Sequence, residues 1–178
     1  PMRAELFEYH LPPELIAQHP AESREGSRLL VVDCESGEIA HRRFPGLSAY
    51  IEEGYCLVFN ASRVRRARLR GRKREGGGEV ELLLLAPHGN GTWEALARPA
   101  RRLRTGAVVS FGGGELEAEV IKKGERGEIR VRFWPGELAT VEEAGERLGE
   151  MPLPPYIRER PTDPERYQTV YARETGSA

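Results

Sequence analysis

Cysteine is nearly absent: Cys34 and Cys56 are the two in 178 residues. They make no C-x-x-C pair and no disulfide framework, so the expected compartment is the reducing cytoplasm. Either thiol reads as buried or incidental rather than as a nucleophile. Lysine and aspartate are scarce as well, with 3 Lys against 24 Arg and 2 Asp against 26 Glu. That bias fits a GC-rich genome, a hot habitat or both. No long apolar run is present. The longest, Leu82–Ala86, is far short of the ~20 residues of a membrane span, and no basic-then-apolar leader opens the chain, so no membrane partner is expected. His10, His19, His41 and His88 are scattered without ligand spacing, which leaves no metal site. The glycine-rich stretches are not nucleotide loops. Gly89-x-Gly91 has Glu94 where a third glycine would be needed, and no triple glycine leads into Gly-Lys-Ser/Thr. A G-x-S-x-G elbow is missing too.

What is present suits a folded chain of one large or two small domains. Hydrophobic residues make up 39% and charged residues 31%, enough apolar surface for a core without staples. The net charge of −1 is unevenly spread. Residues 1–60 carry 5 basic and 10 acidic side chains, residues 61–104 carry 12 and 4, and residues 105–178 carry 10 and 14. A strongly basic middle in a neutral chain is a candidate footprint for a polyanion.

Residues 11–20 (LPPELIAQHP) predict a short helix between prolines. Leu29–Asp33 and Ile39–Phe44 predict a hairpin about Ser36-Gly37. Pro45–Glu53 reads as a short helix ended by Gly54, and Tyr55–Phe59 as a buried strand. From Val64 the pattern changes to short strands separated by glycine: Arg66–Arg74, Glu79–Leu85, Thr92–Arg98, Ala107–Phe111, Leu116–Ile121 and Glu128–Phe133. Strands at this spacing predict a small antiparallel β-barrel or sandwich. Glu137–Leu148 reads as a helix, Gly149–Pro155 as a proline-stiffened linker, and Thr162 or Asp163 as the cap of a last helix.

The segment Arg63–Arg74 holds seven arginines and Lys73 with no acid. In a strand Arg66, Arg68, Arg70, Arg72 and Arg74 share one face, ~6.6 Å apart, while Ala67, Leu69 and Gly71 face the core. Arginine suits bidentate phosphate contact. With residues 75–78 as the hairpin loop, Arg74 faces Glu79 and Arg72 faces Glu81, so ion pairs neutralise that end. In this register Arg66, Arg68 and Arg70 oppose leucines and lack counter-ions. Polyanion contact and plain surface ion pairing both remain open. Arg98, Arg101, Arg102 and Arg104 form a second cluster around Pro99.

Three stretches are more specific. They are Leu57-Val58-Phe59-Asn60-Ala61-Ser62-Arg63-Val64 running into Ala67-Arg68-Leu69, then Met151-Pro152-Leu153-Pro154-Pro155-Tyr156-Ile157, then Tyr167-Gln168-Thr169-Val170-Tyr171-Ala172. With the LP-ELIAQ-P opening and Arg28-Leu29-Leu30, they resemble the S-adenosylmethionine:tRNA ribosyltransferase-isomerase family of the queuosine pathway. The likeness runs through essentially the whole chain. It departs at Ala61, where the family usually has Asn or Asp, at Ser62 for Thr, at Arg66 for Pro, and at Glu150 for His. Family members continue beyond the stretch matching Gly176-Ser177-Ala178, so the resemblance implies that these residues are an amino-terminal portion.

The resemblance implies a discontinuous α/β main domain, only partly present, with an inserted small antiparallel β-barrel. Residues 1–63 would be the first part of the main domain, 64–150 the barrel, and 151–178 the linker and return. The implied reaction transfers and isomerises the ribosyl group of S-adenosylmethionine onto 7-aminomethyl-7-deazaguanine at the tRNA wobble position. Epoxyqueuosine forms, and adenine and methionine leave. S-adenosylmethionine is then a co-substrate, no cofactor is bound permanently, the partners are S-adenosylmethionine and the tRNA, and a monomer is expected. Asn60 at a strand end would bond ribose or a base edge. Arg63 and Arg68 would bind phosphate, and Tyr156, Tyr167 and Tyr171 would offer stacking faces. Arg66, Arg70, Arg98, Arg101 and Arg102 would meet the tRNA backbone. No general base stands out. A non-catalytic nucleic-acid-binding β-barrel is the alternative.

Overall fold

The computed structural model describes residues 3–135 and 140–176. The chain divides into two compact units, one of Pro1–Phe59 with Pro154–Arg166 and the other of Asn60–Leu153 with Tyr167–Ala178.

In the second unit six strands close a barrel: β4 (Arg68–Lys73), β5 (Glu79–Pro87), β6 (Thr92–Arg98), β7 (Val108–Phe111), β8 (Leu116–Lys123) and β9 (Glu128–Pro135). Their order around it is β4-β5-β6-β9-β8-β7, every neighbouring pair antiparallel. All six strands are those the sequence predicts, because their apolar residues alternate with a period of two. Along β6, Trp93, Ala95 and Ala97 turn inward, and along β8 Leu116, Ala118 and Val120 do so. Leu69, Leu82, Val109, Phe111 and Val131 fill the middle. Each large aliphatic buried this way contributes about 1.5–3 kcal/mol.

Closure depends on β4 meeting β7, with Gly71 opposite Phe111. A Cβ at Gly71 would lie 2.5 Å from both Phe111 Cδ1 and Ser110 O. Glycine therefore lets the Phe111 ring cross the strand.

The sequence places the helix over Glu137–Leu148. The structure has α1 at Val141–Leu148, because Thr140 is extended and its Oγ1 accepts from Glu143 N at 3.0 Å. This is a Thr-x-x-Glu cap, and Glu142 and Glu143 also suit the positive end of the helix. Residues 137–139 of the expected helix lie outside the described residues. Val141, Ala144 and Gly145 are buried.

In the first unit β1 (Arg28–Val32) and β2 (Ile39–Arg43) form the expected hairpin. Asp33 Oδ1 holds its turn, accepting from Glu35 N, Ser36 N and Ser36 Oγ at 2.7–3.0 Å. Led by the Ser36 backbone bond, these lower the Asp33 carboxyl below its ordinary value. The turn is thus favoured above the ordinary aspartate range and loosens as pH falls through the lowered value.

The other elements expected in this unit are shorter, or absent. Residues 11–20 give a single 3-10 turn, Pro13–Leu15, and the short helix expected over Pro45–Glu53 is a 3-10 helix, Phe44–Tyr50. The last helix is one 3-10 turn, Pro164–Tyr167, with Asp163 Oδ1 accepting from Glu165 N. Tyr55–Phe59 is not a buried strand: it takes no strand conformation and is exposed, Val58 by 91%. Cys34 and Cys56 are exposed free thiols, so of the two expectations, buried or incidental, burial does not hold.

Two outcomes follow. Gly71→Ala should destabilise the barrel by about 1–3 kcal/mol in chemical denaturation. Gly78→Ala, with no atom near its Cβ position, should change it by less than about 0.5 kcal/mol; equal midpoints would show that Phe111 moves aside freely. In hydrogen exchange the barrel strands should be the slowest segment. Residues 3–59, none of them buried, should exchange fast, and uniform protection across the chain would contradict the two-unit division.

Candidate functional site

Two regions hold the residues singled out in the sequence. The first is a backbone junction. Asn60 Oδ1 accepts from Ser62 N at 2.8 Å, an Asx-type turn that aims the next residues. Ser62–Arg63 (β3) then runs parallel to Glu174–Thr175 (β10). Arg173 N donates to Ala61 O at 2.8 Å and Gly176 N to Arg63 O at 3.1 Å. Gln168, 5% exposed, fixes the junction. Its Oε1 accepts from Val64 N at 2.8 Å and its Nε2 donates to Val64 O at 2.7 Å. One side chain thereby pairs both backbone groups of Val64.

The junction brings Asn60 and Arg63 to the segment carrying Tyr167 and Tyr171, whose rings are 41% and 44% exposed. Tyr156 lies in the other unit. There Gln18 repeats the same device: Nε2 donates to Tyr156 O at 3.0 Å and Oε1 accepts from Arg158 N at 2.8 Å. Sequence reasoning missed both glutamines. Each stood inside a quoted motif, but one glutamine in a loop has no periodicity to mark it.

The second region is the basic strand. The β4–β5 hairpin is shifted by two residues from the expected register. Arg72 faces Glu79 and Arg70 faces Glu81, and Lys73 N donates to Gly78 O. The loop is therefore 74–77, with Gly76 and Gly77 both at positive φ. This overturns the expectation that Arg66, Arg68 and Arg70 lack counter-ions. Glu81 lies 3.5 Å from both Arg68 Nε and Arg70 NH2, Glu150 lies 3.2 Å from Arg70 Nε, and Glu146 lies 3.8 Å from Arg66 Nε. Arg68 also donates to Leu153 O at 2.9 Å. Arg72 pairs with Glu79 and Arg74 with Glu117. The strand binds the barrel to the linker and to α1. Exposed pairs of this kind contribute about 0–1 kcal/mol each, more where they share partners.

Arg98, Arg101, Arg102 and Arg104 behave differently. All four are exposed and form no ion pair among the described residues. A groove of about 430 Å³ reaches Arg98 from Arg70 and Arg72. Elsewhere, Arg65 stacks over Trp93 at 5.6 Å beside a largely apolar cavity of about 280 Å³ at the start of α1. Among the described residues there is no cluster of three or more His, Cys, Asp or Glu able to hold a metal ion. Nor is any helix among them long and apolar enough to cross a membrane.

A closed barrel whose strand of origin is tied back to its exit linker defines an inserted β-barrel. The queuosine biosynthesis protein family profile matches residues 4–178, and the chain belongs to that family. A similar solved structure is the S-adenosylmethionine tRNA ribosyltransferase from Thermotoga maritima, 38% identical, with a TM-score of 0.36. That match covers 73% of this chain and 44% of the Thermotoga chain, so it spans less than half of that protein's length.

Replacing Gln168 with Leu should leave both Val64 backbone groups unpaired and cost about 1–3 kcal/mol. Gln168→Glu keeps the acceptor for Val64 N but turns a buried carboxylate oxygen toward Val64 O, so it should cost at least as much. Chemical denaturation of the two variants checks this.

Proposed function

We propose that the complete protein carrying this chain is a tRNA-modifying transferase-isomerase. It would move the ribosyl group of S-adenosylmethionine onto 7-aminomethyl-7-deazaguanine at the wobble position, giving epoxyqueuosine and releasing adenine and methionine. The observation that carries this reading is the family match over residues 4–178. The named Thermotoga structure supports it.

The chemistry asks for three things. A sulfonium must be held while a positioned base removes a proton from its 5′ carbon. The charge that develops on departing adenine must be met by a donor. The target base must be presented out of its stack. The junction of residues 60–64 with 167–176 has parts suited to holding substrates. Asn60 keeps its amide nitrogen for a ribose or base edge, Arg63 is the cation beside it, and Tyr167 and Tyr171 have exposed ring area. Arg68 is engaged with Glu81 and Leu153, so its part is to fix the linker beside the junction. S-adenosylmethionine is consumed as a co-substrate in this reading, with no permanently bound cofactor, and the protein works as a monomer in the cytoplasm.

The test is adenine release from S-adenosylmethionine in the presence of tRNA bearing the aminomethyl base. The complete protein should turn over, and the isolated 178-residue chain should not. RNA binding by the complete protein without adenine release would favour a non-catalytic nucleic-acid-binding barrel instead.

A further inference from the structure

We propose that the end of the barrel farthest from the linker grips the phosphate backbone of a base-paired RNA stem, away from the reacting base. This deepens the preceding reading and rests on it for the identity of the RNA.

The strand order decides what lies at each end. Strand β4 leaves the Arg68–Glu150 contact, so the β4–β5, β6–β7 and β8–β9 connections all lie at the opposite end. The three lysines of the chain, Lys73, Lys122 and Lys123, are all there. With them are Arg98, Arg101, Arg102 and Arg104 on the β6–β7 connection and Arg126 on the β8–β9 turn. The acids at that end are Glu75, Glu79, Glu125 and Glu128, with Glu81 opposite Arg98 but held by Arg68 and Arg70. Glu79 is taken by Arg72, and none of the others pairs with the four arginines among the described residues. By contrast, Arg66, Arg68, Arg70, Arg74, Arg130 and Arg147 each have a carboxylate within 4 Å. Four arginines without a carboxylate partner therefore gather about the β6–β7 connection, and like charges held so close repel one another unless an anion sits among them.

The display is rigid. Leu103, in the middle of the arginines, is 0% exposed and part of the barrel core. Backbone bonds Arg102 N to Pro99 O and Leu103 N to Ala100 O shape the turn, and Lys123 Nζ donates to Ala100 O at 3.1 Å. Holding a flexible, highly charged loop in this way removes ordering cost from a later contact.

Phosphate rather than base is the partner. The exposed aromatics of this unit, Trp134, Tyr167 and Tyr171, are not on these connections, so the basic end has no stacking platform for single-stranded bases. Arginines without aromatics suit the backbone of a duplex, read by shape and charge. Strands of six to nine residues set this end roughly 20 Å from the neck at Arg68, five residues after Arg63. A stem leading away from the reacting base would span that distance.

The test uses the complete protein and its R101Q/R102Q/R104Q variant, with R147Q, whose arginine pairs with Glu115 beside the β7–β8 turn at the other end, as a single-charge control. The probes are an RNA hairpin and a single-stranded RNA of the loop sequence alone, titrated at several salt concentrations. For the hairpin the triple variant should flatten the salt slope by about 0.7–0.9 per arginine and weaken binding roughly tenfold or more. Loop-only binding should not move, R147Q should resemble wild type, and with tRNA substrate KM should rise while kcat at saturation holds. An unchanged hairpin slope overturns the proposal, and so does an equal loss for hairpin and loop-only RNA. Wild-type turnover with an unchanged slope would remove the grip and leave the enzymatic reading standing. Absent turnover with a flattened slope would do the reverse.

Discussion

The contact on which the rest of this barrel depends is the crossing of Phe111 over Gly71. It is the seam where β4 meets β7, and without it six strands would form an open sheet with two raw edges. Closing the seam determines which residues face inward on every strand, because each takes its register from its neighbour. It also fixes both ends of the barrel, one joined to the linker and the other bearing the β6–β7 connection. A glycine amid six arginines and a lysine between Arg65 and Arg74 is therefore a packing requirement, not a source of looseness.

The arginines divide by position. Those on β4 and just before it are bound to Glu81, Glu146 and Glu150. The carboxylates come from β5, α1 and the linker, so the bonds join parts distant in sequence. Glu150 stands where the resemblance leads one to expect histidine, and here it completes this network. The arginines near Pro99 have no such partners among the described residues. A run of like charge in a sequence thus says nothing of its employment until the carboxylates of neighbouring strands are in place.

Much of the barrel was legible in the sequence, because alternation of apolar residues is a local signal and each strand carried its own. Register was less legible. The three glycines after Glu75 permit more than one loop, and the actual loop draws Arg74 out of its pair with Glu79. That displacement of two residues kept every side chain on its expected face but gave Arg70 and Arg68 a common partner in Glu81. Thr140 was a readable cap, since glutamate follows at the third position, yet the apolar pattern alone led to an earlier start. Gln168 was unreadable as a clamp, because its importance lies in reaching Val64, more than a hundred positions away. Tyr55–Phe59 shows the opposite failure: its composition promises a strand, but a strand exists only beside a partner.

The neck of the barrel has a mechanical consequence. Arg68 N donates to Glu150 O at 3.2 Å and Glu150 N to Arg68 O at 2.8 Å, so chain entering and chain leaving are joined side by side. Tension drawn along the polypeptide from residue 67 to residue 151 would load these two bonds first and peel them one after the other, while the strands behind carried none of it. A module suspended from such a neck hangs outside the line of force, and could be lengthened, shortened or exchanged over time without disturbing the path of the chain that bears it.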